Sequence, residues 1–174
     1  SRKFLSLSIA VLTVSDTRSE EDDRSGAILV ERAEKAGHRV VDKRIVRDDQ
    51  AALEVVLREL VADDSVQVVI STGGTGVTGR DITPEAFEAI YEKPIPGFGE
   101  LFRWISFQKI GTSTVQSRAT AGVAGGTYLF ALPGSTGAVK DAWDEILRWQ
   151  FDYRHRPCNF VEILPRLDEH LRRK

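Results

Sequence analysis

The stretch Val66-Gln67-Val68-Val69-Ile70-Ser71-Thr72-Gly73-Gly74-Thr75-Gly76, followed by Arg80-Asp81-Ile82-Thr83-Pro84, passes from an apolar run through a glycine-rich loop to a helix start. Val66–Ser71 is short and nearly all apolar, as a strand covered on both faces is. Thr83-Pro84 predicts a helix with threonine as N-cap and proline in the first helical position. Strand, loop and helix in that order form the unit from which parallel sheets are built.

The same unit recurs on either side. Ile9–Val14 reads as a second strand buried on both faces, ending in Ser15-Asp16-Thr17 and a polar run to Arg24. Ser25–Ala36 reads as a helix stopped by Gly37. Arg39–Val46 is the next strand. Asp49 is a good N-cap for a helix with Leu53, Val56, Leu57, Leu60 and Val61 on one face. Toward the C-terminus, a helix follows Pro96-Gly97 with Phe98, Leu101, Phe102 and Ile105 on one face. Residues 111–126 read as loops around one short strand, Thr114–Gln116. Tyr128–Leu132 is a strand ending in Pro133-Gly134-Ser135. A last helix carries Val139, Ala142, Trp143, Ile146 and Leu147. Strands thus alternate with helices over residues 7–150, which predicts an α/β fold with a parallel sheet covered on both faces. No repeat, linker or second domain is visible. Residues 1–174 are expected to form a single domain, with 151–174 an extension containing a strand-like Asn159–Leu164.

Composition narrows the function classes. The chain has 174 residues, 41% hydrophobic and 29% charged, the balance of a soluble globular protein. No run approaches the ~18–20 apolar residues needed to span a bilayer. The basic Ser1-Arg2-Lys3 precedes an apolar run too short for a secretory signal. Cys158 is the only cysteine, and His38, His155 and His170 lie far apart, so no metal-ligand spacing is seen. This suits a reducing cytoplasm. A net charge of −2 offers no general field for nucleic acid. Glu169–Lys174 reads as a solvated tail.

In an open parallel sheet, ligands bind beyond the carboxyl ends of the strands. Ser15-Asp16, Arg47-Asp48-Asp49, Thr72–Gly76 and Pro133-Gly134-Ser135 all follow predicted strands and should gather at one edge. Glycines let the Thr72–Gly76 backbone expose consecutive N–H groups as an anion nest, with the hydroxyls of Thr72 and Thr75 as added donors. A plain glycine-rich turn is the alternative, and no Walker lysine follows. Asp81, five residues past Gly76, would repel a phosphate unless a cation intervened. Mg²⁺ is the natural bridge, with Asp48 as a second carboxylate. Against this, Asp81 would serve equally as a turn anchor and Asp48 as a surface charge. Ser117-Arg118 offers a hydroxyl and a bidentate phosphate partner. Glu100, placed in a first helical turn, has the helix dipole as its default role. No nucleophile with a paired base is seen, so positioning and electrostatics fit better than covalent catalysis.

Together the motifs resemble the MogA/MoaB family. Ser71-Thr72-Gly73-Gly74-Thr75-Gly76, Arg80-Asp81-Ile82-Thr83-Pro84-Glu85 and Pro96-Gly97-Phe98-Gly99-Glu100 are similar to its central blocks. Ile105-Ser106, Gly111-Thr112-Ser113, Gln116-Ser117-Arg118-Ala119, Leu132-Pro133-Gly134-Ser135 and Arg156-Pro157-Cys158-Asn159-Phe160 look like the MoaB branch. The resemblance covers residues 7–167. It implies a three-layer α/β/α sandwich with a mostly parallel sheet, and adenylylation of molybdopterin with ATP and Mg²⁺, pyrophosphate leaving. It implies Asp48 and Asp81 as the carboxylates tied to Mg²⁺ and catalysis. Gly73, Gly74, Thr75, Gly76 and Ser117 become phosphate contacts, with Ser15, Asp16, Glu100, Arg118, Gly134 and Ser135 lining the same pocket. One departure is Arg47 before Asp48, where MogA-type members tend to carry proline. The alternative reading is a molybdopterin or precursor carrier without turnover. The resemblance also implies a homo-oligomer, hexamer before trimer, and hand-off to a molybdenum-insertion protein. The aromatics Trp104, Phe107, Trp149, Phe151, Tyr153 and Phe160 would line a subunit interface or cover the chain's own core.

Overall fold

A computed structural model of the chain describes residues 1–172, so the last two residues of the expected tail lie outside the described range. The strands β1 (Ser8–Val14), β2 (Arg39–Val46), β3 (Val68–Thr72), β4 (Lys93–Pro94), β5 (Thr120–Ala124) and β6 (Thr127–Leu132) form one sheet in the order β2-β1-β3-β6-β5-β4. The first four in that order run parallel, and β5 and β4 extend the sheet antiparallel.

Every residue of β1, β3 and β6 is buried. Period-two alternation sends their side chains to opposite faces. Ile9, Val11, Ile70 and Phe130 join the face covered by α1 (Arg24–Lys35), α4 (Pro96–Ile110) and α5 (Thr136–Ala142). Ala10, Leu12, Val69 and Leu129 join the face covered by α2 (Gln50–Ala62) and α3 (Thr83–Ile90). The result is a three-layer α/β/α sandwich. The helix predicted to carry Trp143, Ile146 and Leu147 continues from α5 through a π turn at Trp143–Leu147 into α6 (Arg148–Gln150). No described helix is long and apolar enough to cross a membrane.

Several local expectations are corrected. Thr114–Gln116 is no strand: Gly111–Gln116 winds as a 3₁₀ turn, and the strand of this region is β5. The β-branched Thr114 and Val115 suggest a strand, but the backbone leaves α4 at Gly111 with φ +65° and coils on. Asn159–Leu164 is likewise helical: Asn159 caps α7 (Phe160–Ile163), its side chain accepting from Glu162 N at 2.8 Å. Glu169–Arg172 of the expected solvated tail is the short helix α8.

The aromatics divide. Phe151 is fully buried, and Phe160 packs 4.7 Å from Tyr128 and 5.7 Å from Phe130, so the C-terminal segment folds back on its own core. Leu101, expected to face inward, is exposed with Trp104, Phe107 and Ile110, an apolar band that winds around the outer side of α4.

Candidate functional site

Because β2, β1, β3 and β6 are parallel, the segments following them leave the sheet on one side. From β1 the chain goes first to β2 on one flank and then to β3 on the other, which opens a crevice at the reversal. A cavity of about 300 Å³ lies there, lined by Thr13, Ser15, Asp23, Ser25, Thr72, Gly73, Gly134 and Ser135, among others.

The loop after β3 is fixed by its glycines. Gly73 has φ +103° and Gly74 +73°, and a Cβ on Gly73 would sit 2.5 Å from the carbonyl oxygen of Val14. Gly73 N–H donates to Leu132 O at 2.9 Å, tying the loop to the end of β6. The N–H groups of Gly74, Thr75 and Gly76 have no acceptor among the described residues, the arrangement of an anion nest. Thr72 does not add a donor: its hydroxyl is spent on the Pro133 carbonyl at 2.8 Å. The expected cap at Thr83 is also corrected. Ile82 is the N-cap, Thr83 is the first helical residue, and its hydroxyl donates to Gly73 O at 2.8 Å.

Carboxylates gather around the loop after β3, Asp48 beside Gly74 and Asp81 beside Gly76. Asp48 Oδ2 accepts from Asp16 N at 3.1 Å, and Asp16 Oδ1 accepts from Asp48 N at 2.9 Å, a reciprocal pair joining the ends of β1 and β2. Burial, then the nearby charges of Asp16 and Asp81, push the Asp48 carboxyl above its ordinary value, opposed by the Asp16 amide and Arg80. Asp81 Oδ2 accepts from Thr78 N at 2.8 Å and Thr78 Oγ1 at 2.9 Å, so it anchors its turn while its charge reaches Asp48. Neighbouring carboxylates held at an electrostatic cost suit a divalent cation. No described group of three or more His, Cys, Asp or Glu residues is arranged to hold a metal unaided. Phosphate oxygens would have to complete the shell, as Mg²⁺ sites on nucleotides commonly require. Asp49 is the N-cap of α2, accepting from Ala52 N at 2.9 Å, and Arg47 is exposed, 3.8 Å from Asp49.

Other expected residues are placed differently from one another. Gly134 lies against Gly73, a Cβ on it falling 3.4 Å from the Gly73 Cα, and Ser135 caps α5 through Ala138 N at 3.2 Å. Ser15 Oγ accepts from Thr17 N and Arg18 N, shaping the turn after β1. Ser117 ends the 3₁₀ turn, half-buried. Arg118 is brought to the loop, but its guanidinium is engaged by protein: Gly76 O at 2.7 Å, Asp81 O at 2.9 Å and the Glu85 carboxylate. Glu100 is the fifth residue of α4, past its first turn, exposed and joined to the others by no hydrogen bond or ion pair.

Asp23 escapes the sequence reading. Its side chain is fully buried, accepting from Thr13 Oγ1 and from Gly26 N at 2.9 Å, with Lys43 Nζ at 3.8 Å. Ser25 donates to Gly134 O at 2.8 Å. Asp23 followed by Ser25-Gly26 is a helix-cap signal, and the acidic run Glu20–Asp23 hides it. Asp23→Ala removes the α1 cap and leaves Thr13 without its acceptor. The expected cost is about 2–3 kcal/mol in a denaturant titration. A midpoint unchanged from the wild type would show that Asp23 is dispensable to the fold.

Known proteins bear on this geometry. The family described as "Probable molybdopterin binding domain" matches residues 10–153. Molybdenum cofactor biosynthesis protein B of Escherichia coli (strain K12) is 52% identical over 160 residues, covering 92% of this chain and 94% of that protein. A crystal structure of a molybdenum cofactor biosynthesis protein B superposes with TM-score 0.83 at 37% identity, over 99% of this chain and 100% of the other. The tungsten cofactor synthesizing protein MoaB from Pyrococcus furiosus superposes with TM-score 0.78 at 35% identity, over 93% and 97% of the two chains.

Proposed function

The chain belongs to the molybdopterin-binding domain family of molybdenum cofactor biosynthesis, and on that footing we propose that it adenylylates molybdopterin. A terminal phosphate oxygen of molybdopterin forms a bond to the α-phosphorus of ATP, the bond from that phosphorus to the bridging oxygen breaks, and pyrophosphate leaves. The observation that carries this reading is the meeting of unbonded N–H groups at Gly74–Gly76 with two carboxylates beside the cavity: Asp48 Oδ1 lies 3.6 Å from where a Cβ on Gly74 would sit, and Asp81 Oδ2 2.7 Å from where one on Gly76 would.

The nest binds phosphate oxygens and fixes their direction. Asp48 and Asp81 would hold Mg²⁺, which when bound would supply neutralisation of phosphate charge. Asp16 orients Asp48 through the reciprocal bonds. The hydroxyls of Ser15, Ser117 and Ser135, and the backbone at Gly134, offer further contacts. No proton need be taken from a phosphate nucleophile ionised at neutral pH, so the carboxylates are left to a metal-holding role. The whole of 1–174 acts as one unit in the cytoplasm and passes its product to a molybdenum-insertion protein.

The test is incubation with molybdopterin, ATP and Mg²⁺, following adenylylated molybdopterin and pyrophosphate. Product formation that depends on Asp48 and Asp81 supports the transferase. Binding of molybdopterin without pyrophosphate release overturns it in favour of a carrier.

The exposed apolar residues of α4 support self-association, since patches of this kind mark interfaces, and the family resemblance favours a hexamer over a trimer. Trp104 is 63% exposed and Phe107 52%. Phe107→Glu combined with Trp104→Glu is expected to reduce the mass seen by light scattering from an oligomer to a monomer. A wild-type protein that is already monomeric would remove the idea.

A further inference from the structure

Three of the five N–H groups of the Arg118 guanidinium are taken by protein acceptors. Its Nε donates to Gly76 O at 2.7 Å, its Nη2 to Asp81 O at 2.9 Å and its Nη1 to Glu85 Oε1. The Arg118 backbone N–H donates to Thr75 O at 2.8 Å. One residue therefore grips three carbonyls of the loop between β3 and α3. Two of them, Thr75 O and Gly76 O, lie at the C-terminal end of the nest, and the third belongs to Asp81, whose side chain carries the carboxylate. Glu85, in the first turn of α3, supplies the ionic partner: its Oε2 is buried with no hydrogen-bond partner, and Arg118 holds its carboxyl below the ordinary value.

The geometry points to Glu85 and Arg118 as a paired positioning device that holds the Gly74–Gly76 nest open and aims Asp81, in place of a phosphate contact by Arg118. This rests on the transferase reading of the site for its kinetic consequence, but its structural half does not. A planar guanidinium with its donors committed in three directions fixes the carbonyls that accept from it. Because each peptide unit is planar, the Arg118 backbone bond to Thr75 O also directs the Gly76 N–H, and the guanidinium fixes the next peptide, Gly76–Val77, which ends the nest. A lysine in its place has a single nitrogen and cannot span the same acceptors.

The two halves are separated by testing Glu85→Ala, Glu85→Gln, Arg118→Ala, Arg118→Lys and the double alanine variant. Amide hydrogen exchange on the protein alone is read first. Each single alanine change is expected to speed exchange over residues 73–81 by about tenfold, with the rest of the sheet at its wild-type rate. The double variant is expected to add little, because both changes remove one device. Turnover with molybdopterin and Mg-ATP is read second. Both alanine variants are expected to lose about 10–100-fold in kcat/KM, the range for groups that orient a site's ligands. Glu85→Gln, which still accepts from Arg118, is expected to recover most of that loss, and Arg118→Lys to recover little.

If Glu85→Ala keeps wild-type exchange and turnover while Arg118→Ala loses binding of Mg-ATP, Arg118 is a direct ligand contact and the proposal is overturned. Faster exchange throughout the protein in the Glu85 variants would also overturn it, reducing the pair to general stability. Should the wild type show no turnover at all, the transferase reading fails, and the exchange pattern still decides for or against the device.

Discussion

Asp48→Asn is expected to form adenylylated molybdopterin about 10²–10³-fold more slowly than the wild type, and yet to melt at a higher temperature. Burial, and after it the charges of Asp16 and Asp81, hold the Asp48 carboxyl above its ordinary value. The ionised form is therefore less favourable in the fold than in the unfolded chain. This penalty is absent below the ordinary carboxylate range. It grows as pH rises through the interval up to the raised value and is complete at neutral pH. Asparagine removes the charge while its Oδ1 still accepts from Asp16 N. Asp48 is half-buried, so solvent screening limits the gain to about 0.5–1 kcal/mol at neutral pH. That corresponds to a rise of about 1–4 °C for a domain of this size. Scanning both proteins at pH 7 and at pH 3 checks the assignment, because the difference should vanish at the acid end. A variant that loses activity and stability together would make Asp48 a scaffold residue. Asp81→Asn is expected to lose comparable activity, with the Thr78 bonds retained through its own Oδ1.

Gly73→Ala is the second large effect. The residue sits at φ +103°, a region that L side chains rarely adopt, and the new Cβ would lie 2.5 Å from the Val14 carbonyl oxygen. That oxygen belongs to the last residue of β1, so neither partner can yield by rotating a side chain. Backbone strain and forced separation of β1 from the loop together are expected to cost about 3 kcal/mol or more, a fall of about 6–12 °C. Whatever folds should bind ligand poorly, since the nest begins at the next residue. Gly79→Ala is the matched control: it lies in the same loop, and nothing lies within 4 Å of its Cβ position. Calorimetry that finds the two variants equally stable would show that the close approach at Gly73 is not a constraint.

Continuous apolar runs made β1 and β3 readable as buried strands, and three-four spacing made α2 readable with its cap at Asp49. Glycines and aspartates falling directly after strands made the crevice readable as well. What stayed hidden depends on distant partners. β4 is two residues, Lys93–Pro94, defined by its pairing with β5. Nothing local marks it, and the proline argues against it. Asn159 caps a helix whose residues, Phe160, Val161 and Ile163, have strand-like character when taken alone. The hydroxyls of Thr72 and Thr83 and the guanidinium of Arg118 are equally silent about their targets. Each has the chemistry to meet a phosphate, and each is committed to a backbone carbonyl that only the folded chain brings near.

The order of strands across the sheet has a bearing on how the protein is made. Of the six strands β1 is made before the others, yet its flank at β3 is itself covered by β6, which starts at Thr127. Gly73 needs the Leu132 carbonyl, and Ser25 needs that of Gly134. A nascent chain therefore lacks a finished crevice until Gly134 has been synthesised. Closing such distant contacts is slow relative to helix formation. Pterin captured by this protein consequently stabilises only chains whose sheet is already assembled, and ligand supply acts on the late steps of maturation rather than on its nucleation.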